Sequence, residues 1–136
     1  MEQKADCIFC KIIRGELPSK KIYEDERTFA FLDIAKDIDG HILVIPKDHC
    51  TNLLDAPKET LECVMGTVQK VARNLTERCG YDGVNTFNCN GESSGQTVFH
   101  YHVHVIPRKT GDGERPFKFS GARHELEEMH DRLSMQ

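Results

Sequence analysis

Between residues 56 and 79 the chain carries Leu61, Val64, Met65, Val68, Val71, Ala72 and Leu75 at intervals of three and four, with Lys58, Glu62, Lys70 and Arg73 on the opposite side. That period belongs to an amphipathic α-helix with a single apolar stripe. Gly80 follows, where a left-handed residue commonly closes a helix. Such a stripe must be buried against another layer, and the rest of the sequence supplies that layer as strands. Residues 21–24 and 27–33 read as a strand pair around the polar turn Asp25-Glu26, and residues 41–46 form a short apolar, β-branched run after Gly40. Two more strands are expected at 84–88 and 99–107, separated by the turn-rich stretch 90–96. Residues 7–18 suit a short helix ending at Gly15 and Pro18, and 123–134 has weaker helical periodicity. The expected fold class is therefore α+β: a five-stranded antiparallel sheet, one long amphipathic helix and short terminal helices.

A chain of 136 residues is long enough for one ordinary core, so a single domain over 1–136 is expected. With 38% hydrophobic and 29% charged residues the composition is that of a soluble globular protein. The net charge of −4 comes without any dense run of Lys or Arg, which argues against polymeric nucleic acid as a partner but leaves a single nucleotide open. The polar start Met1-Glu2-Gln3-Lys4-Ala5-Asp6 leads into no signal peptide or membrane span, and a cytoplasmic location without membrane attachment is the expectation. Six cysteines are expected to stay reduced. Cys50, Cys63, Cys79 and Cys89 stand singly and read as small buried hydrophobes rather than reactive groups; Cys7 and Cys10 form a Cys-x-x-Cys pair.

Near the C-terminal third lies His100-Tyr101-His102-Val103-His104-Val105-Ile106. In a strand these three histidines project from one face while Tyr101, Val103 and Val105 project from the other. Three imidazoles on one surface suit catalysis or ligation better than a merely polar strand face. Just upstream, Asn90-Gly91-Glu92-Ser93-Ser94-Gly95-Gln96-Thr97 is rich in glycine and small polar residues. Glycines admit close approach of an anion to the backbone, and Asn90, Gln96 and Thr97 add neutral donors, so Gly95 and its neighbours are candidates for cradling phosphate.

His100-Tyr-His-Val-His-Val-Ile106 resembles, at every position, the His-φ-His-φ-His-φ-φ signature of the histidine-triad nucleotide hydrolases and transferases, φ being apolar. Similar residues recur along nearly the whole chain, at Ile8-Phe9, Lys11-Ile12-Ile13, Glu24-Asp25, Phe31-Leu32-Asp33-Ile34, Gly40-His41, Leu43-Val44-Ile45-Pro46-Lys47 and Gly95-Gln96. Tyr101 separates the chain from the uridylyltransferase branch, where proline is usual.

The resemblance implies a histidine-triad fold and hydrolysis at the α-phosphorus of purine nucleoside phosphoramidates or related nucleotidyl compounds, releasing AMP or GMP. His102 would attack through Nε2 to give a nucleotidyl-histidine, its Nδ1 proton held by the carbonyl of His100. His104 would assist, with Gln96 and Thr97 stabilising charge on phosphorus. The nucleoside would lie on Phe9, Ile12, Phe31 and Ile34, with Asp33 accepting from the ribose hydroxyls. Cys7, Cys10, His49 and His100 match the four ligands that hold a structural Zn²⁺ in some bacterial members, and a two-fold homodimer through the long helix and a neighbouring strand is implied. Alternatives stay open at this point: a catalytic zinc on all three triad histidines, a dinucleoside polyphosphate hydrolase, a nucleotide sensor without turnover, and a metal-free or redox role for the cysteine pair.

Overall fold

The stripe at 56–79 becomes helix α2, Lys58–Arg73, in the computed structural model of the chain, which describes residues 3–35, 38–113 and 121–135. Val64, Val68 and Val71 are buried, whereas Met65 is 48% exposed. The helix continues as a π-helical turn, Asn74–Arg78, that carries Leu75 into the core. Gly80 then takes φ +83°, letting the Tyr81 N–H reach the Leu75 carbonyl at 3.1 Å, so the cap expected at that glycine is present.

Around α2 the order is α1 (Ile8–Ile13), β1 (Lys21–Glu24), β2 (Thr28–Leu32) and β3 (Ile42–Pro46) before it, and β4 (Gly83–Phe87), β5 (Val103–Arg108) and α3 (Leu126–Leu133) after it. All strand pairs are antiparallel, in the order β1-β2-β3-β5-β4. The five-stranded antiparallel sheet with one long helix and short flanking helices is thus the observed architecture. Strands β2 and β3 lack a polar alternation because both their faces are covered. Ala30, Ile42 and Val44 pack with the apolar residues of α2, while Phe29, Phe31, Leu43 and Ile45 pack with Phe9 and with the half-buried Ile12 and Ile13 of the α1 side. Among the described residues no helix is long and apolar enough to cross a membrane.

The β1–β2 turn is organised by one carboxylate. Oδ1 of Asp25 accepts from the N–H groups of Arg27 and Thr28, both at 2.8 Å, and from the Thr28 hydroxyl at 3.0 Å. Burial opposes ionisation of Asp25, but these donors and the Tyr23 hydroxyl outweigh it and hold the carboxyl below its ordinary value. Asp25→Ala is expected to cost about 1–3 kcal/mol at neutral pH. Because the folded carboxyl binds its proton less readily than the unfolded one, this contribution is present above the ordinary value of 3.8 and is lost as pH falls through the lowered one. Denaturation curves of wild type and variant should therefore converge in strong acid; a gap unchanged with pH would contradict the assignment.

The last strand departs from expectation. It begins at Val103 rather than at residue 99, leaving His100 and His102 just upstream of the ladder. The β3–β5 register, Ile42↔Val105, Leu43↔His104 and Val44↔Val103, stops where β3 approaches Pro46, which has no N–H to donate. The Pro46 carbonyl instead accepts from His100 Nε2 at 2.8 Å, and the Tyr101 N–H goes to the Cys50 carbonyl at 2.8 Å. The alternation of faces survives this divergence. Tyr101, Val103 and Val105 join the α2-side core, and the histidines lie with Phe9 and Leu43 on the other side.

Candidate active site and metal-binding cluster

The three histidines of the triad have three different surroundings. His100 is fully buried, and with Nε2 committed to Pro46 its Nδ1 lies 3.4 Å from Cys7 Sγ and 3.6 Å from Cys10 Sγ. His49 Nδ1 lies 3.5 Å from Cys10 Sγ. All four donor atoms fall within 4.8 Å of one another. Around a tetrahedral zinc with bonds of about 2.3 Å to sulfur and 2.0–2.1 Å to nitrogen, neighbouring S and N donors stand about 3.5 Å apart. The residues present therefore fit a zinc ion in type, number and spacing. The local chain prepares the sulfurs as well: Cys7 caps α1 by accepting from the Cys10 N–H at 3.4 Å, and Cys10 accepts from the Lys4 N–H at 3.4 Å. Burial pushes the His100 imidazole down to about 4 and lifts the Cys10 thiol above its ordinary value, so these two buried ligands carry no charge of their own before a dication binds.

His102 is 6% exposed, and its Nδ1 donates to the carbonyl of His100 at 2.7 Å. The proton on Nδ1 leaves the lone pair on Nε2. Burial lowers the His102 pKa and keeps the ring neutral. The edge contact with Phe9, 5.2 Å between centroids, and the Asn88 amide, which donates to the His102 carbonyl at 2.8 Å, hold this segment in place.

His104 belongs to a row of facing residues that runs across the sheet, Phe31↔Leu43, Leu43↔His104 and Phe87↔His104. Its ring is stacked on Phe87 with centroids 4.2 Å apart and planes 8° from parallel. Its Nδ1 lies 2.8 Å from Nε2 of His41, and Asp33 Oδ2 lies 3.8 Å from that same His41 nitrogen. Among the described residues, the groups that could hold a metal contain His100 in one case and His104 in the other, and neither contains His102. The triad is thus divided, which disfavours one zinc ion on all three rings.

The glycine-rich loop is folded on itself. Gly91, Ser94, Gly95 and Gln96 direct their N–H groups to acceptors within the loop, and Gly95 adopts φ +99°, a conformation that favours glycine. Gln96, expected to face phosphorus, is 3% exposed; its amide donates to the carbonyls of Thr51 and Val98 and accepts from the Asn52 amide and the Gly91 N–H. Asn90 accepts from the Leu53 N–H at 2.8 Å and donates to Asn88 at 2.6 Å, which ties the loop to the His102 carbonyl. Gly95 and Thr97 are exposed.

Of the residues expected to carry the nucleoside, Phe9 and Phe31 are buried and in edge contact at 5.5 Å, and Ile12 packs beside them. Ile34 is 95% exposed. Asp33 is grouped with His41 and His104. Residue-by-residue reading did not single out His41, Asn52, Phe87 or Asn88 for the site. A histidine directly after Gly40 at the mouth of an apolar strand is the one signal that could have marked any of them.

A family model for the HIT domain matches residues 14–111. The Bacillus subtilis "Protein hit" is 50% identical over 109 residues, 79% of this chain and 75% of that one. An adenylylsulfatase of Arabidopsis thaliana, HINT3, is 40% identical over 107 residues, 79% of this chain and 54% of that one. The adenosine 5'-monophosphoramidase HNT1 of Candida albicans is 40% identical over 116 residues, 80% of this chain and 74% of that one. Among solved structures, a Streptococcus mutans protein superposes with a TM-score of 0.82 at 40% identity, covering 96% of this chain and 85% of that one. A Zn-bound histidine triad family protein from Mycobacterium smegmatis does so at 0.75 and 41% identity, covering 94% and 89%. The divided histidines, the sheet that carries them and these likenesses together place the chain in the histidine-triad (HIT) family, which includes nucleotide hydrolases.

Proposed function

We propose that this protein hydrolyses purine nucleoside phosphoramidates or related nucleotidyl compounds at the α-phosphorus, through a nucleotide covalently held on His102. The observation that carries the reading is the 2.7 Å hydrogen bond from His102 Nδ1 to the His100 carbonyl, which assigns the lone pair to Nε2 in a buried, neutral ring. In this reading Nε2 bonds to phosphorus as the bond from phosphorus to the leaving group breaks, and the leaving group keeps the electron pair and takes a proton from solvent. Water then cleaves the phosphorus–nitrogen bond and releases the nucleoside monophosphate. His104, positioned by Phe87, serves the phosphate oxygens or the leaving group. Gly95 and Thr97 border the phosphate, while Asn90 and Gln96 keep the loop in shape. The nucleoside lies along Phe9, Ile12, Phe31 and Ile34, and Asp33 receives the ribose hydroxyls. The relatives named for phosphoramidase and adenylylsulfatase activities support a nucleotidyl substrate and differ in leaving group. Rapid quenching during turnover of an adenosine phosphoramidate tests the reading: a base-stable, acid-labile adduct at His102 is expected, and its absence during turnover would exclude covalent catalysis.

Cys7, Cys10, His49 and His100 hold a structural zinc in the same reading, supported by donor separations of 3.4–3.6 Å and by the Zn-bound relative. When bound, the ion supplies cross-linking and no chemistry. The protein further acts as one cytoplasmic domain that assembles into a homodimer. Strand β4 lies at the end of the sheet order, and Met65 is 48% exposed on α2, a combination that a second copy would cover. Light scattering behind gel filtration should give twice 15.5 kDa at tens of micromolar protein. Met65→Lys should shift that species toward the mass of one chain; a wild-type monomer would remove the proposal.

A further inference from the structure

We infer that Asp33, His41 and His104 form a second cation site, one of nitrogen and oxygen donors, that binds a divalent transition metal of the zinc and cobalt class reversibly and excludes the nucleotide while filled. This cluster shares no residue with the cysteine cluster. Its donor atoms, Asp33 Oδ2, His41 Nε2 and His104 Nδ1, lie within 4.8 Å of one another, with separations of 2.8 Å between the two histidines and 3.8 Å from Asp33 to His41. Donors around a tetrahedral zinc with bonds of about 2.0–2.1 Å stand about 3.3 Å apart, so the two separations bracket the required one. A tetrahedral set requires the two histidine nitrogens to part by about half an ångström and Asp33 Oδ2 to close on His41 by about as much, and it requires Oδ2 and His104 Nδ1, now within 4.8 Å of one another, to close as well. The proton shared by the two rings then leaves to solvent, because a nitrogen that binds metal must present its lone pair.

The donors are held by their surroundings rather than by one another alone. Phe87 stacks on the His104 ring at 4.2 Å, and Asp33 Oδ1 accepts from the Ala35 N–H at 2.9 Å, which turns Oδ2 toward the histidines. Among the described residues two imidazoles and a carboxylate make three protein ligands, one fewer than the closed Cys2His2 set, which is the pattern of an exchangeable site. Imidazole selects zinc, cobalt or nickel over magnesium and calcium. Exclusion of nucleotide rests on the proposed function, in which Asp33 takes the ribose and His104 the phosphate, since a metal bound to both withdraws both.

The test is a metal titration of the full-length protein. Cobalt(II) added to metal-free protein fills the thiolate cluster with a near-ultraviolet sulfur-to-metal band, whereas the second site adds visible bands without that signature. A second equivalent per chain is expected. It should bind about 10–100-fold more weakly in His41→Ala and in Asp33→Asn, and saturating AMP should suppress it while leaving the thiolate band unchanged. Asp33→Asn guards against a folding defect at the buried His41, because the Asp33 side chain is 21% exposed. No second equivalent, or one unaltered in both variants, overturns the site. Uptake unaffected by AMP in protein shown by calorimetry to bind AMP overturns the exclusion. Uptake sensitive to both substitutions in protein that binds no AMP upholds the site and refutes the nucleotide reading instead.

Discussion

Replacing His102 by alanine is expected to lower turnover of an adenosine phosphoramidate by about three to five powers of ten while changing AMP affinity by no more than about threefold. The two effects separate because the groups proposed to bind the nucleoside, Phe9, Phe31 and Asp33, lie on α1, β2 and the segment after β2, while His102 contributes the nucleophile. Removing the ring also deprives the His100 carbonyl of its 2.7 Å donor. Leaving that buried carbonyl unsatisfied costs about 1–3 kcal/mol of stability, less than the five or so that such a rate loss represents. Rates should therefore be compared per folded molecule, with a melting curve for each variant. His104→Ala should fall less, by about two to three powers of ten, since a group that shapes charge in the transition state is worth less than the atom that forms the bond. Near-normal turnover of the His102 variant would remove the covalent mechanism. Equal and total loss of activity on chelation, with no adduct, would instead favour a metal-activated water.

A hydrogen-bonded chain connects this nucleophile to the loop that is proposed to border the phosphate. The Leu53 N–H reaches Asn90, Asn90 reaches Asn88, and Asn88 reaches the His102 carbonyl, at 2.8, 2.6 and 2.8 Å. Gln96 fastens the other end of the loop to Thr51 and Asn52. Neutral amides suit this task because they satisfy buried carbonyls and N–H groups without placing a charge beside the reacting phosphorus.

How much of this was legible in the chain depends on whether local pattern or long-range pairing decides each feature. The α2 stripe, the Gly80 cap and the strand pair around Asp25 follow from spacing and turn chemistry, which are local, and the structure has them within a few residues. The start of β5 is set by where β3 runs out of usable ladder groups at Pro46, a partner 54 residues away from His100. No window around the triad contains that information. The four cysteine and histidine residues of the metal cluster could be named by type, but only the divergence of the chain after residue 99 aims His100 at the cysteines. His41 was hidden for a different reason. One histidine in an apolar strand reads as a satisfied polar residue until the fold brings Asp33 and His104 to it. Ile34, read from the sequence as part of the nucleoside surface, is 95% exposed, and apolar character alone does not tell a ligand-facing position from a core one.

Loss of the cysteine cluster should weaken the protein more than it slows it. Cys7→Ser is expected to drop bound zinc from about one equivalent per chain to less than a tenth, by elemental analysis of protein purified without added metal. The stability lost should be on the order of 4 kcal/mol, the free energy gained at a ligand concentration about a thousandfold above its dissociation constant, or roughly 10–15 °C in melting temperature for a chain of this size. The cluster adds a cross-link among three pieces that also meet through Phe9 and the Pro46 and Cys50 carbonyls: the N-terminal turn and α1 through Cys7 and Cys10, the segment after β3 through His49, and the approach to β5 through His100. Without the ion, two cysteines and two histidines remain, Cys10 and His100 buried and Cys7 and His49 half-buried, and their mutual contacts of 3.4–3.6 Å are weak hydrogen bonds at best. Turnover per folded molecule should nevertheless fall by less than about tenfold, because His100 acts on His102 through its backbone carbonyl and stays anchored by Nε2 to the Pro46 carbonyl at 2.8 Å. Chelation of the wild type should reproduce the loss of stability, and chelator should add nothing to the variant. A Cys7→Ser protein with full zinc, or a wild type that carries less than a tenth of an equivalent, would remove the structural metal from this account.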